Sequence, residues 1–115
     1  MRVKSEIWVG AYLRRCQAEA VPVVIVRRGE ADAGAIFISV DRLDGTVCIY
    51  GPAPSGFEGV EEARRWVWCL GGKPVALADA GIYLTRQIDF DPDLWIVEVE
   101  DRAGRHFLGD DLIEA

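Results

Sequence analysis

The chain has 115 residues, half of them hydrophobic and 28% charged, with a formal net charge of −6. That apolar fraction supports one folded domain over residues 1–115 and excludes a globally disordered chain. The acidic balance argues against a duplex-binding face, which needs a positive field, so nucleic acid is not expected as a partner.

In chain order, Val3 to about Glu19 reads as a helix. Val9, Leu13, Cys16 and Ala20 fall at helical spacing, and Trp8 and Tyr12 widen the stripe. Ser5 is the expected N-cap, Glu6 suits the positive end of the helix dipole, and Arg14 and Arg15 suit the other end. Pro22 stops the helix. Val23 to Arg28 (VVIVRR) is a β-branched run that reads as a strand, and Gly29 to Gly34 as a connection of turn formers.

Ala35 to Gly51 reads as a hairpin about Asp44-Gly45. A two-residue type I′ turn there sets Val40 opposite Ile49 and Ser39 opposite Tyr50. Ile36, Ile38, Val40, Val47 and Ile49 then share one buried face. Antiparallel pairing of the preceding strand with this hairpin makes a three-stranded meander, which a helix can cover. Gly51 to Gly56 is a loop.

Phe57 to Leu70 is mixed. Glu61 to Arg65 favour helix, whereas Trp66 to Leu70 favour strand, and a strand at 64–70 is the reading adopted. Gly71 to Pro74 breaks the chain. Val75 to Asp89 returns to helical spacing through Leu77, Ala80, Leu84 and Ile88, and the segment around Pro92 ends it. Leu94 to Glu100 is a strand, with Trp95, Val97 and Val99 on one side and Leu94, Ile96, Glu98 and Glu100 on the other. Asp101 to Gly104 is a turn, and Arg105 to Leu108 returns as a short strand with Glu100 opposite Arg105 and His106 opposite Val99. The tail from Gly109 to Ala115 frays. The expected fold class is α+β: an antiparallel sheet of five or six strands with two helices packed on one face.

Catalytic and cofactor signatures are sparse. There is no Gly-x-Ser-x-Gly elbow, no phosphate-binding glycine loop and no His-x-x-x-His pair, so no catalytic residue, metal or cofactor is expected. Cys16, Cys48 and Cys69 are widely spaced and sit among apolar neighbours. They read as reduced, buried thiols of a cytoplasmic protein. The N-terminal stretch MRVKSEIWVGAYLRRC is interrupted by charge, and no run approaches the roughly 20 apolar residues of a membrane span, so neither a signal peptide nor a membrane partner is expected.

His106 is the one histidine, and its neutral-range pKa suits acid–base work, although a hydrogen-bonded rim histidine is the blander reading. Glu98 and Glu100 share a strand face, where a pair of carboxylates can act together or simply face water. Arg14-Arg15, Arg27-Arg28 and Arg64-Arg65 are three arginine pairs, and guanidinium is the group for bidentate capture of carboxylate or phosphate. The end of the first helix and the end of the first strand could bring Arg15 and Arg28 together. Their alternative is pairing with the chain's many acids. Arg15, Arg28, Glu98 and His106 are therefore the candidate ligand-binding residues. Trp66 and Trp68, alternate on one strand, are the candidate interaction residues, with core packing as their alternative.

The runs KSEIWVGAYLRR (Lys4–Arg15), VRRGEADAGAIFISVDRLDGT (Val26–Thr46) and DPDLWIVEVEDRAGRHFL (Asp91–Leu108) together resemble the signature blocks of a family of short alphaproteobacterial proteins that is catalogued as a domain of unknown function. The resemblance implies a bacterial cytoplasmic protein and no activity. It marks Trp8, Arg14, Arg15, Arg28, Gly29, Asp93, Trp95 and Glu98, with Trp8 and Trp95 as core aromatics and Gly29 at a turn of positive φ. The leading functional expectation is a non-enzymatic interaction module that pairs with a protein partner or a second copy through a sheet edge or the Trp66/Trp68 strand. The alternative is a binder or processor of a small anionic ligand at an arginine-rich site.

Overall fold

The computed structural model describes residues 2–54 and 64–113. The first helix, α1, spans Ser5–Ala18. It is followed by strands β1 (Val23–Arg27), β2 (Ile36–Asp41), β3 (Thr46–Pro52) and β4 (Trp66–Trp68). A single turn, α2 (Cys69–Gly72), carries Leu70 and Gly71 in the left-handed region. Then come β5 (Val75–Ala76), α3 (Leu77–Phe90), β6 (Trp95–Glu100), a 3-10 turn at Gly109–Asp111 and β7 (Leu112–Ile113). The expected α+β class holds. The part of the 57–70 reading that falls on residues 57–63 lies outside the described residues. The strand within 64–70 is confined to Trp66–Trp68.

Among the described residues the sheet has seven strands, in the order β1-β6-β2-β3-β4-β7, with β5 pairing beside β3. It is mixed, not purely antiparallel: β6 runs parallel to β2, and β7 parallel to β4. The expected meander does not form, because β1 pairs with β6 and not with β2. Parallel neighbours need a long crossover, usually a helix, and α3 supplies it between the β2–β3 hairpin and β6. The return strand at 105–108 is also absent. That segment is irregular, and Arg105 bonds Asp101 (2.9 Å) in place of an opposed Glu100.

The two long helices lie on opposite faces of the sheet, not on one. Val9, Tyr12 and Cys16 of α1 pack with Ile36, Ile38, Val40, Tyr50, Trp95, Val97 and Val99. Ala80, Tyr83, Leu84 and Ile88 of α3 pack with the alternate residues Phe37, Val47, Ile49, Leu94 and Ile96. β2 and β6 are therefore buried on both sides, which accounts for their almost unbroken apolar runs. The hairpin register explains how the expected single face divides. Arg42 N–H donates to Thr46 C=O (3.0 Å), leaving a three-residue loop at 43–45. Leu43 and Gly45 both have positive φ, and Asp44 accepts from the Thr46 amide (2.9 Å) and hydroxyl (2.5 Å). Ser39 now faces Ile49, and Val40 faces Cys48. A shift of one residue exchanges the faces of one strand, so Val47 and Ile49 turn to α3, while Ile36, Ile38 and Val40 stay with α1.

Candidate anion site at the start of helix α1

The residues before α1, the 29–34 loop, the end of β3 and the start of β4 meet at one end of the sheet. The 29–34 loop is held tightly there. Glu30 N–H donates to Asp93 C=O (2.9 Å), Trp95 Nε1–H donates to Glu30 C=O (2.8 Å), and the Glu30 carboxylate accepts the amides of Asp32 and Ala33 (2.8 and 2.6 Å). Gly29 is required by this packing and not by positive φ, since it is absent from the residues in that region. A Cβ on Gly29 would lie 2.3 Å from Asp93 C=O. The loop caps α1 with backbone: Ser5 and Glu6 amides donate to the carbonyls of Asp32 (3.0 Å) and Ala31 (2.9 Å). Ser5 is thus not a side-chain N-cap. It is buried within the first turn, and its hydroxyl donates to Gly34 C=O (2.7 Å).

Between these elements lies a cavity of about 150 Å³ lined by Arg2, Arg64, Arg65, Trp66, Pro52, Ala53, Ala33, Ala35 and Ile36. Among the described residues, three guanidinium groups border it and no carboxylate does. Ala53 N–H donates to Arg65 C=O (2.9 Å), which carries the β3–β4 pairing one step beyond Pro52 and Trp66 and sets Arg64 and Arg65 at the rim. Arg64 Nη2 donates to Val3 C=O (2.7 Å) and Ser5 Oγ (3.2 Å). Arg65 Nη1 reaches Asp110 C=O (3.4 Å). Burial, together with the charge of Arg2, lowers the Arg64 pKa from its ordinary value. Arg64 Nε and Trp66 Nε1 are buried N–H groups that find no hydrogen-bond acceptor. Such groups ordinarily find one. The arrangement can receive negative charge through donors alone.

The residues expected at a ligand site are placed elsewhere. Arg15 and His106 meet near the end of α1, where Arg15 Nη1 donates to Phe107 C=O (2.6 Å). His106 Nδ1 accepts the Leu108 amide (2.9 Å), its ring lies 5.2 Å from Tyr50, and burial lowers its pKa below 6.5. Arg28 lies at the opposite end of α1, 3.5 Å from Glu6 and 5.1 Å above the Trp95 ring. Glu98 projects to the other face of the sheet. Its pKa is raised, first by burial and then by the charges of Asp41 and Glu100. Trp66 is 2% exposed and stacks near Trp8 (4.9 Å), while Trp68 is half-buried against Tyr50 (5.6 Å). The Arg64-Arg65 pair was visible in the sequence. The convergence on it of Arg2, residues 33–36 and the end of β3 had no local signal. Burial raises the pKa of all three thiols. Among the described residues, no group of three metal-ligating side chains comes together and no helix is long and apolar enough to cross a membrane.

Fold and cavity define a small α+β protein, a mixed sheet between two helices with an arginine-lined pocket at one end. The chain belongs to the DUF1491 family, described as "Protein of unknown function (DUF1491)", whose sequence profile matches residues 3–109. A crystal structure of a DUF1491 family protein from Caulobacter crescentus CB15 is similar, at 34% identity with a TM-score of 0.81, covering 99% of this chain and all of that one. The solution structure of protein Atu0922 from A. tumefaciens is similar at 34% identity with a TM-score of 0.78, covering 100% of this chain and 98% of that one. An NMR structure of a DUF1491 family protein from Caulobacter crescentus CB15 matches at 34% identity with a TM-score of 0.80, over 99% of both chains. No curated protein matches the chain.

Proposed function

We propose that this protein binds a small anionic ligand in the cavity bordered by Arg2, Arg64 and Arg65. One observation carries the reading: three guanidiniums converge on a concave site in a chain whose net charge is −6. Charge-assisted bonds from arginine to an oxyanion are among the strongest polar contacts a small site can offer. Concave sites with a few convergent polar groups are the usual places for small ligands. The reading keeps the chemistry expected from an arginine-rich site and moves it from Arg15 and Arg28 to the third pair. The burial of Trp66 weighs against a protein partner docking on the Trp66/Trp68 strand. The three free thiols support a reducing compartment such as the cytoplasm.

The test is a thermal unfolding series with phosphate, sulfate, acetate and citrate at constant ionic strength. A saturable rise in Tm with at least one anion is expected. The response should be lost in Arg65→Gln and kept in Arg28→Gln. Equal responses in both variants, or no saturable response, would overturn the reading.

A second reading, association of two copies through the β1 edge, is favoured by the side chains of Val24 and Val26. These are 55% and 57% exposed on a strand that, among the described residues, pairs on one side only. Light scattering of the wild type and Val24→Lys tests it: a dimer lost in the variant supports the reading, and a monomeric wild type removes it.

A further inference from the structure

We infer that His106 is a proton-operated latch on residues 106–113. Neutral, it holds that segment on the sheet. Protonated, it releases the segment from β4, and with it the placement of Arg65 and Trp66 at the cavity. The part that concerns ligand binding rests on the anion-binding reading above and adds a control of that site by pH.

The latch turns on one acceptor atom. His106 Nδ1 accepts the Leu108 amide (2.9 Å), so the neutral ring carries its proton on Nε2. Protonation places an N–H on Nδ1 as well, aimed at the Leu108 N–H. Two donors then face each other and the hydrogen bond cannot exist. Leu108 is 3% exposed and the bond is partly buried, so an amide left without its acceptor favours movement of the segment. Phe107 between them is held at φ 58°, a left-handed position that is costly for a residue with a Cβ, and release relieves it. The ring lies 5.2 Å from Tyr50, and its burial favours the neutral, latched form.

The latched segment leads to the cavity. Beyond Leu108, Asp110 C=O accepts from Arg65 Nη1 (3.4 Å), and β7 pairs with β4, Leu112 beside Trp66 and Ile113 beside Val67. Arg65 and Trp66 line the cavity. Before Leu108, the Tyr12 hydroxyl and Arg15 Nη1 hold the carbonyls of His106 (2.7 Å) and Phe107 (2.6 Å) to α1. Release therefore runs towards β7 and not back towards β6. Among the described residues, the titratable groups around the ring are Tyr12 and Arg15 of α1, Tyr50 and Cys48 of β3, Arg42 after β2, and Arg105 with Asp101 and Glu19. Burial raises the two phenols and the thiol, and the hydrogen bond from Arg105 lowers Asp101, each away from the range between pH 5 and 7.5. Glu98, whose pKa is raised, lies on the other face of the sheet.

The experiment is NMR of the full chain between pH 7.5 and 5, wild type beside His106→Asn. Asparagine does not titrate, and its Oδ1 can accept the same amide two residues on. In the wild type, the Leu108 amide and the Trp66 indole N–H should shift with the midpoint of the His106 ring. Protection of the Leu108 and β7 amides, corrected for intrinsic exchange, should fall about tenfold across that midpoint, as one unit of difference between the latched and released pKa requires. The α1 amides should keep theirs. His106→Asn should hold its signals and its protection at both ends, and the Glu98 titration should look alike in the two proteins. A ring that titrates while the Leu108 amide does not follow would overturn the latch, and so would equal loss of protection in His106→Asn. The wild-type spectra decide the first of these even where the variant fails to fold. A Leu108 amide that follows while the Trp66 indole does not would overturn the link to the cavity. Sulfate, doubly charged throughout, added at pH 7.5 separates the two readings. Sulfate binding without any His106-linked change overturns the latch and leaves the anion site standing. A His106-linked change without sulfate binding supports the latch and overturns its ligand part together with the anion site.

Discussion

The Tyr12 hydroxyl donates to the His106 carbonyl oxygen at 2.7 Å, tying the middle of α1 to the segment that follows β6. Tyr12 is 1% exposed and the bond is partly buried, and burial pushes the Tyr12 pKa above its ordinary value. Tyr12→Phe removes the donor and strands the carbonyl, at a cost of about 1–2 kcal/mol. Urea unfolding of the two proteins measures it. Equal midpoints would show that the bond contributes nothing net.

The close approach of the 29–34 loop to β6 makes Gly29 the least replaceable glycine in this region. Gly29→Ala places a methyl 2.3 Å from Asp93 C=O and 2.5 Å from Trp95 Cδ1. The backbone must move, and about 3 kcal/mol of stability should be lost. Gly81, inside α3 with open space around it, is the contrasting case. Gly81→Ala should stabilise by about 0.5–1 kcal/mol through helix propensity. Chemical denaturation of both variants reads opposite signs.

Helix α1 ends in a Schellman arrangement. Val21 N–H donates to Cys16 C=O (3.0 Å) and Ala20 N–H to Gln17 C=O (2.9 Å). Ala20 occupies the left-handed position, φ 57°, where glycine is usual. Ala20→Gly removes the Cβ strain and should stabilise by about 0.5 kcal/mol, because the added freedom of the unfolded chain offsets part of the gain. A lower Tm in the variant would refute this account of the helix end.

Two groups set opposite pH dependences. His106 is held neutral by burial, so its folded pKa lies below 6.5. Its contribution to stability is complete above 6.5 and is lost as the pH falls from there through its folded value. Glu98 has a folded pKa raised above 4.5 by burial, Asp41 and Glu100. Its contribution is complete below 4.5 and is lost as the pH rises through its folded value. Glu98→Gln should therefore be more stable than wild type at pH 7, by under about 1 kcal/mol at this partly exposed site. The gain should shrink towards pH 4. NMR titration of the His106 ring and stability curves at pH 4 to 7 check both signs.

Much of the fold was readable locally. Helix α1, the β2–β3 hairpin, α3 and β6 follow from periodicity, Pro22, Asp44-Gly45 and Pro92. Their arrangement was not. The hairpin was read as half-buried because Ile36, Ile38 and Val40 alternate. Phe37, which alternates with them, and Val47 and Ile49, which alternate with the equally apolar Cys48 and Tyr50, were the signal of a second covered face. His106 was placed on a strand that does not form, since Asp101 captures both the Arg105 backbone amide (2.8 Å) and its guanidinium within the turn.

Local sequence thus determined which segments are helix or strand, because spacing, proline and turn chemistry act over a few residues. Tertiary structure decided that β6 inserts between β1 and β2, that α1 and α3 take opposite faces, and that Arg2 meets Arg64 and Arg65. Those outcomes depend on burying both faces of the central strands at once, a requirement that operates between segments 59 to 76 residues apart. The cavity exists because the backbone carbonyls of the 29–34 loop cap α1 where β3 and β4 end, a meeting that no single stretch of the chain encodes.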